Sequence, residues 1–135
     1  MKSEIRHIET IIIGGGPGGA TCGYMLAQKS KESLIIERSQ FPRDKVCGGG
    51  LTPKCYRLID KIFGGITYDY QSVKKLEVHL GQSRNRTFDL SDEIRVVCRK
   101  DFDQILLEAY KQAGGEVVPG RAKTIEERAG KVFVT

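Results

Sequence analysis

Gly14, Gly16 and Gly19 spell G-x-G-x-x-G within the run GGGPGG. The run follows three isoleucines, Ile11 to Ile13, and has Pro17 where a helix would begin. Each glycine has a distinct task in such a motif. Gly14 permits the tight turn, Gly16 lets backbone approach a pyrophosphate, and Gly19 lets the helix pack close to the strand. The free N–H groups and the dipole at the helix start favour phosphate. Glu37 closes the next apolar run, 23 residues after Gly14 (37 − 14). That is near the spacing of about 20 residues at which an acid binds ribose hydroxyls. A glycine turn alone would ordinarily be only a flexible turn; strand, helix and acid together favour a dinucleotide. An acid at 37 argues against a 2′-phosphorylated nucleotide, an inference that Arg38 weakens. NAD and FAD fit these residues equally.

A second constellation is FPRDKVCGGGLTP, residues 41–53. It sets Cys47 against Gly48, Gly49 and Gly50, with Arg43 and Lys45 just before. Glycine runs weaken a core and make sense where backbone must approach something closely. A thiol beside N–H groups and cations has a lowered pKa. On residue types alone, the preferred reading of Cys47 is a small buried hydrophobe, the ordinary fate of a free cysteine. Arg43 and Lys45 could neutralise a diphosphate or an anionic substrate. Cys22, Cys47, Cys55 and Cys98 make no C-x-x-C pair, and the histidines are only His7 and His79, so neither a zinc site nor a disulfide framework is expected. Cys22 and Cys98 read as packing residues, Cys55 as helix core and His79 as solvated. Asp103 reads as a charge at a helix N-terminus rather than a base.

The elements that must position these groups follow from periodicity and punctuation. Residues 8–13 read as a buried strand, 17–29 as a helix with Ala20, Tyr24 and Ala27 on one face, and 33–37 as a second strand: a β–α–β unit. Thr52 and Pro53 cap a helix running to Phe63, with Cys55, Leu58, Ile59 and Ile62 inward and Gly64-Gly65 as its stop. Over 73–99, Leu76, Val78 and Leu80 alternate with Glu77 and His79, then a turn GQSRN, then Phe88, Leu90 and 94–99: an antiparallel meander with one solvated face. Asp101 and Gln104 suggest a capping box, and Phe102, Ile105, Leu106 and Ala109 a helical stripe closed by Gly114-Gly115. Residues 116–118 read as a third parallel strand, and 121–127 with 131–135 as hairpin arms turning at Ala129-Gly130. There are no repeats and no linker.

The chain has 135 residues, 39% hydrophobic and 29% charged, the size and balance of one folded domain. The formal charge of +5 comes from 22 basic and 17 acidic residues. It reads as a solvated basic surface. No dense Lys/Arg run with interleaved aromatics points to nucleic acid, while weak attraction to anionic membrane surfaces is compatible with the sign. The N-terminal apolar run is too short for a signal peptide and no segment is long enough for a transmembrane span, so a cytoplasmic, reducing setting is expected.

After Glu37 a plain NAD domain would lead into another crossover helix; this chain leads into RDKVCGGG. Here it resembles the geranylgeranyl reductase family of FAD-dependent enzymes, within a wider group that includes p-hydroxybenzoate-type hydroxylases and flavin-dependent halogenases. The resemblance rests on GGGPGGA, IIER, RDKVCGGGLTP and VCRKDFDQILLEAYKQAGGEVV, which cover most of the chain. It implies FAD as cofactor. Gly14 to Gly19, with Gly18 near the phosphates, would hold the adenosine diphosphate half together with Glu37 and Arg38. Cys47 and Gly48 match the family's cysteine–glycine pair beside the isoalloxazine ring, where Cys47 would pack on the ring or donate a proton. Arg99 matches the arginine that opens the R-x-x-F-D helix and reaches back to FAD, and main chain around Ala122 would lie near the adenine.

The implied fold is α/β: a Rossmann-like FAD-binding βαβ unit with a β-meander insertion, incomplete without a C-terminal half. Its parts would be the βαβ unit 8–37, a flavin-facing loop and helix 38–65, the meander 73–99, and a helix and hairpin 101–135. Family members are several times longer and carry a second, Gly-Asp FAD motif and a substrate domain. Residues 1–135 are therefore expected to be the N-terminal part of a larger flavoprotein, inactive alone and self-associating to cover open edges. The implied activity is hydride transfer from reduced FAD to isoprenoid double bonds, geranylgeranyl chains being the substrate class, with the electron donor left open. An apolar, membrane-derived substrate would bring peripheral membrane contact. The rivals are an FAD-dependent hydroxylase or halogenase, against which the Cys-Gly-Gly run counts, a non-catalytic nucleotide-binding fragment, and, third, an NAD-only dehydrogenase.

Overall fold

The computed structural model describes residues 5–81 and 84–135, which divide into two units, one holding residues up to Arg43 together with Asp103 onward, the other Asp44–Phe102.

The first unit is built on a parallel sheet of β1 (Thr10–Ile13), β2 (Ser33–Glu37) and β6 (Glu116–Pro119) in the order β1-β2-β6. Ile12 pairs with Ile35 and Ile35 with Val117, so β-branched residues meet across both ladders. Helix α1 (Pro17–Gln28) connects β1 to β2, with Pro17 in its first turn. Ala20 and Gly23 are its buried residues, while Tyr24 and Ala27 are half-buried. Leu106, Leu107 and Tyr110 of helix α3 (Arg99–Gln112) lie in the core with Leu34 and Ile35. Tyr110 is fully buried; its hydroxyl donates to the Ser33 carbonyl at 2.7 Å and lies 3.1 Å from Ser33 Oγ. A hairpin of β7 (Ile125–Arg128) and β8 (Lys131–Val134) follows, turning through Ala129 and Gly130 at φ 51° and 72°, the paired positive angles of a type I′ turn.

The second unit carries β3 (Gly50–Leu51), α2 (Pro53–Phe63), β4 (Gln71–Leu80) and β5 (Arg84–Val96), with the antiparallel order β3-β5-β4. Helix α2 stops at Gly64, whose φ of 59° is the left-handed cap that glycine accepts without strain. The Arg95 guanidinium stacks 4.1 Å from the Tyr56 ring and 4.5 Å from Tyr70, and donates to Tyr68 Oη at 3.2 Å, clamping α2 and the 66–70 loop to β5.

Several expectations shift. β1 begins at Thr10 rather than 8, because β2, its parallel partner, starts at Ser33. Thr52 stands at the N-cap of α2 but makes no side-chain cap bond. The inward residues of α2 are Tyr56, Ile59 and Phe63; Leu58 is 53% exposed, because the Arg95 stack draws the Tyr56 side of the helix inward. α3 starts at Arg99, with the Phe102 amide already bonded to the Cys98 carbonyl, so Asp101 lies inside the first turn and is not a cap. The meander is one long β4–β5 ribbon plus the short β3, and its apolar side is open as well: Leu76, Leu80 and Phe88 are exposed. Residues 82–83 of the expected GQSRN turn lie outside the described residues. Cys22 and Cys98 are exposed, not packed, and Cys55 is half-buried.

Candidate nucleotide-binding loop and cysteine loop

In the first unit the glycine loop is shaped by two requirements. Gly14 has φ +100° while its amide donates to the Ile36 carbonyl at 2.9 Å, which ties the loop to β2. A Cβ on Gly19 would stand 1.9 Å from the Gly14 carbonyl oxygen, so only glycine allows α1 to start this close to the loop. Gly16 is the N-cap, in extended conformation and without a capping side chain. Pro17 has no N–H, and the Gly18 and Gly19 amides sit in the first turn, where no intrahelical acceptor exists. A Cβ on Gly18 would meet nothing within 4 Å, so this face of the loop is open.

Glu37 ends β2 and is buried. Its Oε2 accepts the Gly15 amide at 2.6 Å and its Oε1 the Ser39 amide at 2.7 Å. Burial pushes its carboxyl upward, but the Gly15 and Ser39 hydrogen bonds and the Arg43 charge outweigh this and hold it below the ordinary carboxylate value. The side chain thus locks the glycine loop, and a carboxylate has about four acceptor sites, which leaves capacity for ligand hydroxyls. Arg38 is exposed just beyond the strand. Ala122 is half-buried in the link between β6 and β7, two residues past Gly120, whose amide donates to the Glu37 carbonyl at 2.9 Å.

Two residues given little or no weight in the sequence also belong to this neighbourhood. Asp103 is fully buried and pairs with Arg43, Nη2 to Oδ2 at 3.0 Å, which corrects its expected place as a helix-end decoration. Arg43 lies 4.7 Å over the Phe41 ring, and its Nη2 is 3.5 Å from where a Gly16 Cβ would be. Its Nη1 is buried and has no hydrogen-bond partner among the described residues. The sequence signal was the aspartate closing R-x-x-F-D; nothing local pairs it with Arg43. A bare glycine cradle, free helix-start amides and an orphaned guanidinium N–H are the donors a diphosphate needs, and the Glu37 acceptors suit a ribose.

In the second unit Cys47 is exposed, which overturns its reading as a buried hydrophobe. Its Sγ accepts the Gly49 amide at 3.5 Å. This bond first, then a hydrogen bond from Arg99 and the charges of Arg99 and Lys45, hold the thiol below its ordinary pKa. Gly49 has φ +70°, and a Cβ there would stand 2.1 Å from the Val97 carbonyl oxygen. The Val97 amide returns a bond to the Gly49 carbonyl at 3.0 Å, so the loop is fastened to the chain just before Arg99. Gly48 is exposed and open. The structure therefore brings Cys47, Gly48 and Arg99 together. Among the described residues no group of three His, Cys, Asp or Glu side chains is placed to hold a metal ion, and no helix is long and apolar enough to cross a membrane.

Comparison with known proteins decides which dinucleotide this donor set serves. The model of the FAD binding domain family matches residues 7–130. The chain belongs to the FAD binding domain family. Its fold is the Rossmann-like α/β fold of that family, and FAD is its cofactor. The chain is 28% identical over 130 residues to the geranylgeranyl diphosphate reductase of Rhodobacter capsulatus, an alignment spanning 93% of this chain and 31% of that protein. It is 29% identical over 134 residues to the 1H-pyrrole-2-carbonyl-(peptidyl-carrier protein) brominase of Pseudoalteromonas luteoviolacea, spanning 96% and 33%. A geranylgeranyl bacteriochlorophyll reductase-like structure from Thermoplasma acidophilum superposes with TM-score 0.77 at 23% identity, over 93% of this chain and 33% of that one. The chain spans about a third of the length of the curated relatives it matches.

Proposed function

We propose that this FAD-binding domain serves a reductase that saturates isoprenoid carbon–carbon double bonds, with geranylgeranyl chains as the substrate class. The observation that carries the reading is the Cys47 loop, an exposed thiol whose conjugate base is stabilised by the Gly49 amide and the Arg99 guanidinium. Reduced FAD, when bound, supplies the hydride chemistry. Saturating an alkene also requires a proton, and a thiol with a stabilised thiolate releases one more readily than an ordinary thiol. Cys47 Sγ would hold that proton, and Arg99 and the Gly49 amide would steady the sulfur once it has left. Gly48 leaves bare backbone against which a flat group can lie. In the other unit Gly14, Gly16, Gly18 and Gly19 would receive the adenosine diphosphate portion, Glu37 the ribose, with Arg38 and the Ala122 main chain at its margin.

The similarity to the reductase of Rhodobacter capsulatus supports the substrate class. The comparable similarity to the brominase favours a second reading, an oxygen-using halogenase or hydroxylase. The reductase reading carries with it an apolar substrate, peripheral contact with a membrane and, from the open edge of β1, self-association. It is tested by reconstituting the complete gene product with FAD, reducing it with dithionite without oxygen, and adding geranylgeranyl diphosphate. Mass spectrometry should find the hydrogenated chain, formed more slowly by Cys47→Ala. An unaltered isoprenoid, with halogenation or hydroxylation of an aromatic compound once oxygen is admitted, would transfer the assignment to the second reading.

A further inference from the structure

Arg43 is the least explained cation in the first unit. Its partner Asp103 has no exposed surface, and a buried carboxylate requires a counter-charge. Arg43 supplies that through Nη2 at 3.0 Å, with the Phe41 ring over the guanidinium. A simple buried ion pair would need nothing more. Yet the Arg43 side chain is 17% exposed overall, and Nη1 is removed from solvent without any acceptor among the described residues. Buried donors of this kind are rare and costly, and in native structures they point to a group that accepts them. The same guanidinium lies against Gly16, the residue at which backbone is bared at the start of α1. The acceptor must therefore be oxygen-rich and close to the glycine loop, and its charge must be negative to match a charge-assisted bond.

We propose that Arg43 is a two-headed cofactor ligand: Nη2 is anchored by the buried Asp103, and Nη1 is presented to the diphosphate of the bound dinucleotide. The inference rests on the reading of the glycine loop as the diphosphate site. It adds a residue, an anchor and a geometric requirement. Asp103 already neutralises Arg43, so the pair brings no net charge to the phosphate; what it brings is a directed hydrogen bond from a fixed plane. Lysine, a point charge on a flexible stem, cannot serve Asp103 and a phosphate at once.

The test measures FAD, ADP and adenosine binding to the full chain by calorimetry and ligand-observed NMR. The proteins are the wild type, Arg43→Lys, and the double variant Arg43→Met with Asp103→Leu. The double variant removes both charges, a replacement that buried ion pairs often tolerate, and thermal unfolding verifies that it is folded. The expected result is a loss of FAD and ADP affinity of about 10- to 100-fold in both variants, with adenosine binding unchanged. A folded variant that binds ADP as the wild type does overturns the inference and leaves the cofactor reading standing. Equal loss for adenosine and ADP also overturns it, because Arg43 would then only shape the loop. A wild-type chain that binds neither FAD nor ADP shows that these residues do not by themselves form a diphosphate site, and overturns the inference.

Discussion

Gly18 and Gly19 are neighbours in the first turn of α1, yet alanine should act on them in opposite ways. At Gly19 a Cβ would stand 1.9 Å from the Gly14 carbonyl oxygen, where real contacts essentially never fall below 3.0 Å. Backbone on one side must move by at least the difference, 1.1 Å (3.0 − 1.9). Neither side is soft, since the Gly14 amide is bonded to Ile36 and the helix is fixed by its own ladder. Overpacking of this kind costs about 1–3 kcal/mol, while alanine regains about 1 kcal/mol of helix propensity and unfolded-state entropy. A backbone overlap this deep belongs at the upper end of that range, so the net loss should be on the order of 2 kcal/mol, a fall in Tm of about 6–8 °C for a domain of this size. At Gly18 nothing lies within 4 Å, so alanine there should leave stability unchanged or raise it by up to about 1 kcal/mol. If the open face of Gly18 receives the diphosphate, Gly18→Ala should nevertheless weaken FAD binding. Thermal unfolding by circular dichroism and FAD titration, both on the full chain, give the two readouts. A Gly19→Ala chain as stable as the wild type would refute the steric argument; a Gly18→Ala chain with undiminished FAD affinity would refute the placement of the phosphate.

Glu37 and Cys47 give two more tests. A carboxylate held below its ordinary value of 4.5 contributes stability that is fully present above that pH and is lost as pH falls through its lower, folded value. Wild-type stability should therefore drop on acidification below about pH 4.5, and Glu37→Gln should flatten this drop while weakening FAD binding by about tenfold or more; an unchanged acid profile would show that the Gly15 and Ser39 bonds do not hold the charge. Cys47 should alkylate with iodoacetamide as a thiolate at lower pH than an ordinary thiol, and Arg99→Gln should move its profile up, with peptide-resolved mass spectrometry separating it from the exposed Cys22 and Cys98. Identical profiles with and without Arg99 would remove that guanidinium from the thiol's environment.

What was legible in the chain was local. β2 at Ser33–Glu37 and α2 at Pro53–Phe63 have the bounds their punctuation suggests, because Pro53 and Gly64 act on adjacent backbone and need no distant partner. That β1, β2 and β6 share one parallel sheet was legible from apolar runs separated by helices, where a parallel arrangement is nearly forced; their order in the sheet came only from the structure. The errors lie where a distant residue decides. The capping-box rule put the start of α3 at Asp101, but Cys98 already accepts the first helical bond, fastened by the neighbouring Gly49–Val97 pairing. The inward face of α2 turned toward Tyr56 because Arg95, 39 positions along (95 − 56), stacks on its ring.

The site shows the same division more sharply. The glycine motif and Glu37 could be named because a local rule relates their spacing to a phosphate and a ribose. Asp103 could not, because a charged residue near a helix start has two fates, and the choice rests on Arg43, 60 positions earlier (103 − 43). Tyr110 is a parallel case. A Cβ on Gly23 would stand 2.8 Å from its ring and one on Gly115 2.0 Å, so both glycines exist for this one buried side chain. Neither had been related to it, because nothing between 23, 110 and 115 repeats or alternates. Cys47 sits between the two kinds. Its environment of amides and cations was foreseeable from RDKVCGGG, but its exposure was not, since that follows from the backbone of Gly49, held at positive φ against Val97. A substitution that merely relaxes Gly49 would therefore act on the thiol without touching it, which separates the chemistry of Cys47 from the loop that presents it.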